Sequence, residues 1–303
     1  MSQAKRDPFA DSQDVQQGVL VRTLESWVEF VEFIRTRHAN CPGLIYRGQA
    51  DSEWKIESRL DRAERQYPRR RNYSRPWGDP PNPRFFQCSP LSREYHLAAF
   101  REAARGKRGP SAPDLSEDEW WALAQHHGLA TPMMDWTYAP FVALFFAFEE
   151  DKCVNVQGAW ATPQKRAVLC TGLDIFNQIE NDADRPIVFA AMNDSNYRLV
   201  NQAGLFLKMP KRRDLETIVR ENFRNESGDN RANPMPRVIL EKIEMPGTDR
   251  VECLKFLNKM DINRMSLFPD LDGAAQHVNA LWELEYDRMM GFVMLRNSLR
   301  RES

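Results

Sequence analysis

The chain has 303 residues, with 42 Lys+Arg against 43 Asp+Glu and a formal net charge of -1. That length holds one large domain or two small ones and can bury a sizeable core without covalent staples. The even charge excludes a histone-like basic coat for nucleic acid, and 28% charged with 42% hydrophobic residues excludes wholesale disorder.

In chain order, residues 1–20 read as a polar, disordered leader without an apolar stretch. Leu24 to Arg37 carries apolar residues at helical spacing, with Ser26 and Glu29 spaced as a capping box. Leu44-Ile45-Tyr46 reads as a short strand ending at Arg47-Gly48. Between Arg59 and Arg108 there are 13 Lys+Arg and 5 Asp+Glu, so the rest of the chain is acidic. Within that stretch, Tyr67 to Pro90 holds six prolines and reads as a long loop, part of an Arg/Pro-rich insertion at about 62–92. Glu94 to Arg105 reads as a helix. A second helix starts at the N-cap Ser116, carries Glu117, Asp118 and Glu119 in its first turn, and stops at Gly128.

The Asp135-Trp136-Thr137 stretch reads as a turn, followed by a buried helix from Phe141 to Glu150 behind Pro140. Strands are expected at Gly158–Thr162, Arg166–Thr171, Ile187–Ala191, Leu205–Met209 and Arg237–Ile243. Helices are expected at Asp214–Phe223, Val251–Met260 and Leu271–Arg288, with a polar loop at Arg224–Pro236. Strands and helices mix without a βαβ beat, so the class is α+β, with mixed or antiparallel small sheets surrounded by helices. One domain is expected over 21–290, with 291–303 as a tail.

Several chemistries are excluded by their missing motifs. There is no GxxxxGK[ST], GxGxxG, HExxH or GxSxG, which removes most P-loop nucleotidases, Rossmann dehydrogenases, zincins and α/β hydrolases. The five cysteines are scattered and form no CxxC pair, so no metal site and no disulfide framework is expected. The longest apolar run, Phe141 to Phe148, is too short to span a bilayer. A cytoplasmic protein in a reducing compartment, without membrane contact, is the expectation.

What remains is polar density at the ends of apolar elements. Gln125 and His126 end a helix, and Asp135, Trp136 and Thr137 precede the most apolar one. Burying such groups unpaired costs on the order of 1–3 kcal/mol each, so they are expected to meet partners in a pocket. Arg47 at a strand end is costly to bury unless it meets an acid such as Asp135 or the anion of a ligand. Gly48 admits a close approach of either a ligand or another backbone. Adjacent His126 and His127 point about 100° apart on a helix and are poorly placed to share a metal.

These residues resemble the FRG domain family, named for a Phe-Arg-Gly tripeptide. It stands here as Tyr46-Arg47-Gly48, followed by Gln49. The family's Gln-His-x-Gly…Thr-x-x-x-Asp-Trp-Thr-x-x-Pro pattern is matched by Gln125, His126, Gly128, Thr131, Asp135, Trp136, Thr137 and Pro140. Later matches are Arg198, Gln202, Gly204 and Phe206, and the stretch Ser266 to Gly273. One departure is Pro132, which stands where many members carry an arginine. The family is associated with bacterial and phage proteins, and a toxin or antiviral defence role is plausible from that association.

More distantly, the pattern resembles the ADP-ribosyltransferase superfamily. That resemblance implies a fold of that type and an enzyme consuming NAD by ADP-ribosyl transfer or glycohydrolysis. Arg47, His126, Asp135, Thr137 and Gln202 would then be catalytic. Tyr46, Gly48, Gln49, Gln125, Trp136 and Arg198 would hold the NAD. Glu149 and Asp270 are alternative acids, while Glu283 and Glu285 form the one late Glu-x-Glu, inside an expected helix. Two other readings stand beside it. One is a non-catalytic module that senses a nucleotide or a protein partner. The other is a protein acting on nucleic acid through Arg59–Arg108, with Tyr67, Tyr73, Trp77, Phe85 and Phe86 available for stacking.

Overall fold

The computed structural model describes residues 15–66, 92–109, 112–154, 158–190, 197–223, 238–282 and 284. Ten strands lie in these segments: β1 (Val15–Gln16), β2 (Val19–Thr23), β3 (Leu44–Gln49), β4 (Met133–Thr137), β5 (Cys153–Val154), β6 (Trp160–Ala161), β7 (Lys165–Gly172), β8 (Ile187–Phe189), β9 (Gly204–Lys208) and β10 (Leu240–Pro246). The α+β class holds. Eight of the strands join one mixed sheet in the order β1-β2-β10-β7-β3-β4-β9-β8, and β5 with β6 makes a separate two-stranded ribbon. Among the described strands only the β2–β10 pairing is parallel. Residues 15–20 were expected in the leader. They form β1 and the start of β2 because Val19 and Leu20 are buried against the β10 edge.

Helices α1 (Trp27–Phe33), α2 (Arg59–Gln66), α3 (Arg93–Ala103), α4 (Glu117–His126), α5 (Pro140–Phe148), α6 (Tyr197–Asn201), α7 (Leu215–Asn222), α8 (Arg250–Lys259) and α9 (Arg264–Leu267) surround the sheet, and residues 271–282 are also helical. The expected caps form. Ser116 accepts from the Glu119 N–H while Glu119 reaches back to Ser116, and Ser26 accepts from the Glu29 N–H. The short helices α2, α6 and α9 were not foreseen. The four- and five-residue helices α9 and α6 leave too little periodicity to read, and the eight residues of α2 are mostly charged or polar, so tertiary contacts decide all three.

Both faces of the sheet are covered. On one face, α1, α5 and α8 pack over Tyr46, Val168, Cys170 and Ile243. Further along that face, Leu97, Trp121 and Ala122 of α3 and α4 pack with Met133 and Phe206. On the other face, α7 and a 3-10 turn at Leu173–Gln178 cover Ile45, Trp136, Leu169 and Leu207. The alternation of side chains along each strand produces this division.

Two features place the site. First, α5 lies directly on β3. A Cβ on Gly48 would come within 2.0 Å of the Ala143 carbonyl oxygen and 2.6 Å of the Ala147 nitrogen. Gly48 is therefore required by a neighbouring backbone, the second of the two possibilities its sequence allowed. Second, β3 and β4 share a single paired position, Tyr46 with Thr137, whereas β3 pairs with β7 over six. Beyond that position the two central strands part and the sheet opens.

Candidate functional site

Asp135-Trp136-Thr137 is a strand and not the expected turn. The Met133–Thr137 segment pairs along its whole length with β9. Alternation then splits the tripeptide. The Trp136 ring joins the core on one face and is 2% exposed, whereas Asp135 is exposed. The Trp136 indole nitrogen has no hydrogen-bond partner. Thr137 is buried, and its hydroxyl donates to the Gln202 carbonyl at 2.6 Å while accepting from the Ala139 N–H at 2.9 Å. Both capacities of that hydroxyl are committed to joining β4, α5 and the end of α6.

Where β3 and β4 separate there is a cavity of about 350 Å³. Its walls come from β3 and β4 (Tyr46, Arg47, Gly48, Asp135, Trp136, Thr137), from α4 (Ala122, Gln125, His126) and from α6 and its end (Arg198, Leu199, Gln202). Trp54, Phe146, Glu150, Phe206 and Phe268 add aromatic surface and one more carboxylate. Ten of the eleven candidate residues thus border one hollow although they span more than 150 positions of sequence. Gln49 is the exception. It is buried and donates from Nε2 to the Trp54 carbonyl at 2.7 Å, so it holds the loop that carries Trp54.

Arg47 is one of the two arginines that border this cavity, the other being Arg198. Its Nη1 donates to the Asp135 backbone carbonyl at 2.6 Å, across the opening between the strands. It makes no carboxylate pair within 4.0 Å among the described residues, so most of its fork is open. Withdrawal from water lowers the basicity of this guanidinium, Asp135 counteracts the effect, and the charge of Arg62 adds to it. A partly desolvated arginine without a carboxylate is costly in an apo fold and becomes favourable when an anion arrives.

Asp135 is aimed by a relay. The Met133 N–H donates to the Thr131 hydroxyl at 3.2 Å, that hydroxyl donates to Gln125 Oε1, and Gln125 Nε2 donates to Asp135 Oδ1 at 2.7 Å. One carboxylate oxygen is therefore held, and Asp135 borders the cavity. Such a relay fixes orientation before any ligand is present, as electrostatic stabilisation requires.

His126 closes the far wall. Burial holds its imidazole below the ordinary value, helped by the charges of Arg198 and His127 and opposed by Asp270. The shift favours the neutral imidazole, the form that can accept a proton. Arg198 is spent differently from Arg47. It pairs with Asp270 at 2.8 Å, contacts the His126 carbonyl at 3.3 Å and lies over the Phe268 ring at 5.3 Å. Asp270 also accepts from the Gly273 N–H, and the two bonds hold its carboxyl below the ordinary range. A Cβ on Gly273 would strike the Phe268 carbonyl oxygen at 2.0 Å, so this turn needs glycine. Gln202 donates to the Leu267 carbonyl at 3.2 Å. Arg198 and Gln202 therefore tie the late segments to the cavity wall, which limits them as ligand-binding groups.

The alternative acids separate in space. Glu149 lies outside this cavity, pairs with Arg264 and is pushed up to about 7 by burial. Glu150, its neighbour, borders the cavity and was not singled out by sequence, because a glutamate at a helix end carries no distinctive pattern. Glu283 and Glu285 lie outside the described residues, as do most of the Arg/Pro-rich insertion and its five aromatics. Among the described residues no group of three or more His, Cys, Asp or Glu is placed to hold a metal. None of the described helices is long and apolar enough to cross a membrane.

A mixed sheet that opens between its central strands over an arginine, an oriented carboxylate and a histidine defines a polar-pocket protein of the α+β class. Residues 42–155 match the model of the FRG domain, and an FRG domain is present in this chain. That segment contains the Tyr46-Arg47-Gly48-Gln49 strand, α4, the Asp135-Trp136-Thr137 strand and α5. Arg198, Gln202 and Asp270 lie beyond it. No curated protein and no solved structure matches the chain.

Proposed function

We propose that the cavity binds a nucleotide and that the protein consumes NAD, by glycohydrolysis or ADP-ribosyl transfer. One observation carries this reading: Arg47 with its open fork and Asp135 with a single held oxygen border the same hollow between splayed strands. An anion and a developing positive charge are the two things this pair is suited to receive. Aromatic rings at Trp54, Phe146 and Phe268 suit flat heterocycles.

In such a reaction the bond between the ribose carbon and the nicotinamide nitrogen breaks, and nicotinamide leaves with the electron pair. Water or an acceptor group bonds to the ribose carbon and gives up its proton. Asp135 is placed to stabilise the cationic ribose, and neutral His126 to take the proton. Gln125 positions Asp135, and Thr137 and Gln202 hold the wall. The reading places the protein in the cytoplasm, with a toxin or phage-defence role, and with Arg59–Arg108 contacting a nucleic-acid or protein acceptor.

Incubating the full chain with NAD and separating the products tests this. Free nicotinamide is expected from the wild type and not from Arg47→Ala or Asp135→Ala variants that remain folded. A second reading, binding without turnover, is favoured by the commitment of Arg198 and Gln202 to structure. Nucleotide binding without nicotinamide release would establish it.

A further inference from the structure

Outside the motif residues, Trp54, which lines the cavity, has an arginine of α2 stacked on its ring. Arg62 of α2 places its guanidinium over the Trp54 ring, 5.0 Å from its centroid, and Trp54 borders the cavity beside Arg47. The acid whose charge acts on Arg62 is Glu57, and that carboxylate is taken by Arg65. Among the described residues Arg62 has no carboxylate within 4.0 Å, and neither has Arg47. Both guanidiniums are withdrawn from water, and the charge of Arg62 further lowers the basicity of Arg47; Asp135 at Arg47 and Glu57 at Arg62 counteract this by charge without closing an ion pair to either. Like charges so placed raise the energy of the ligand-free protein, and an anion bridging them removes that cost. Asp135 removes only part of it, through its charge, since its hydrogen bond with Arg47 is made by the backbone carbonyl.

We infer that Arg47 and Arg62 form a diphosphate subsite, with the Trp54–Arg62 stack as its outer wall. Two planar forks fit two successive phosphoryl groups better than one carboxylate, because each presents paired N–H donors to paired oxygens. The stack fixes the rotamer of Arg62 before binding, so less side-chain entropy is lost on capture. This deepens the nucleotide reading above, but it requires binding alone and not cleavage. Arg62 becomes a specificity residue that selects ligands with a diphosphate over those with the base and sugar only.

Calorimetric titration of the full chain with inorganic pyrophosphate, ADP-ribose and adenosine tests it at two salt concentrations. Pyrophosphate and ADP-ribose are expected to bind, more weakly at high salt. Arg62→Ala should weaken both by about tenfold or more, the scale of a lost charge-assisted contact, and leave adenosine unchanged. Arg62→Gln keeps a flat polar group over Trp54 and should show the same loss, so a folding defect in the alanine variant does not decide the matter. Tighter binding of ADP-ribose than of pyrophosphate would identify a nucleotide as the source, and equal binding a free diphosphate, with the subsite upheld in both. Wild-type binding of neither ligand, or undiminished pyrophosphate affinity in folded Arg62→Gln, would overturn the inference. Diphosphate binding through Arg62 without release of nicotinamide from NAD would uphold the subsite and end the hydrolytic reading.

Discussion

Two clusters of the same residue types flank β3. In the closed one, Arg22 donates to Glu241 at 2.9 Å, His38 contacts the other Glu241 oxygen at 3.2 Å, and the Tyr46 hydroxyl meets the second His38 nitrogen at 3.1 Å. In the open one, Arg47, Asp135 and His126 border a cavity, with one oxygen of the acid and most of the guanidinium fork left over. Each holds an arginine, an acid and a histidine. Satisfied valence makes the first a structural brace, and unsatisfied valence makes the second a candidate site. Residue type alone would not have separated them.

The strand they share gives the largest expected effect. Gly48→Ala drives a methyl into the α5 backbone and should destabilise the fold by about 3 kcal/mol or more, collapsing both clusters. Denaturant unfolding measures it, and a near-native midpoint would show that α5 can shift.

Breaking only the closed cluster comes next. Glu241→Ala leaves Arg22 and His38 without their anion and should cost about 3–5 kcal/mol, with nucleotide binding intact in whatever remains folded. The pH dependence follows from the same contact. Burial raises the Glu241 carboxyl, but the bonds and charges of His38 and Arg22 outweigh burial, so it titrates below its ordinary 4.5. Its stabilisation is therefore complete above about 4.5, the unfolded value, and is lost as pH falls through the lower folded value. A melting-temperature profile of Glu241→Gln should lack that acid-side drop.

Breaking the open cluster should do the reverse. Asp135→Asn and Arg47→Ala are expected to lower turnover by about a hundredfold or more, and to change stability by less than about 1 kcal/mol, because neither side chain closes an ion pair. Loss of the fold in both variants would move this pair into the structural category. If His126 is the base, the rate should rise with pH only up to a value below 6.5 and stay flat above 7. A midpoint at or above 7 would remove His126 from that role.

The smallest effect is expected at Thr137. Thr137→Val removes the bonds to Gln202 and Ala139 and should cost about 1–2 kcal/mol, with activity falling only as far as the wall loosens. An activity loss as deep as that of Asp135→Asn, without loss of stability, would return the hydroxyl to the chemistry.

The sequence alone determined the local grammar. Ser26, Ser116 and Asp214 cap their helices because a short side-chain oxygen serves the free N–H groups wherever it precedes an apolar period. Tyr46-Arg47-Gly48 and Gln125…Asp135-Trp136-Thr137 were legible because polar groups abutting apolar runs need partners. Tertiary structure decided the rest. It made Asp135-Trp136-Thr137 a strand through β9, gave Gly48 to a helix and not to a ligand, and spent Arg198 on Asp270 while leaving Arg47 open. It also brought Trp54, silent in any motif, to the cavity wall and stacked Arg62 on its ring. The physical reason is that capping and periodicity act over a few residues, whereas which charge finds a partner depends on chain segments that only the sheet brings together.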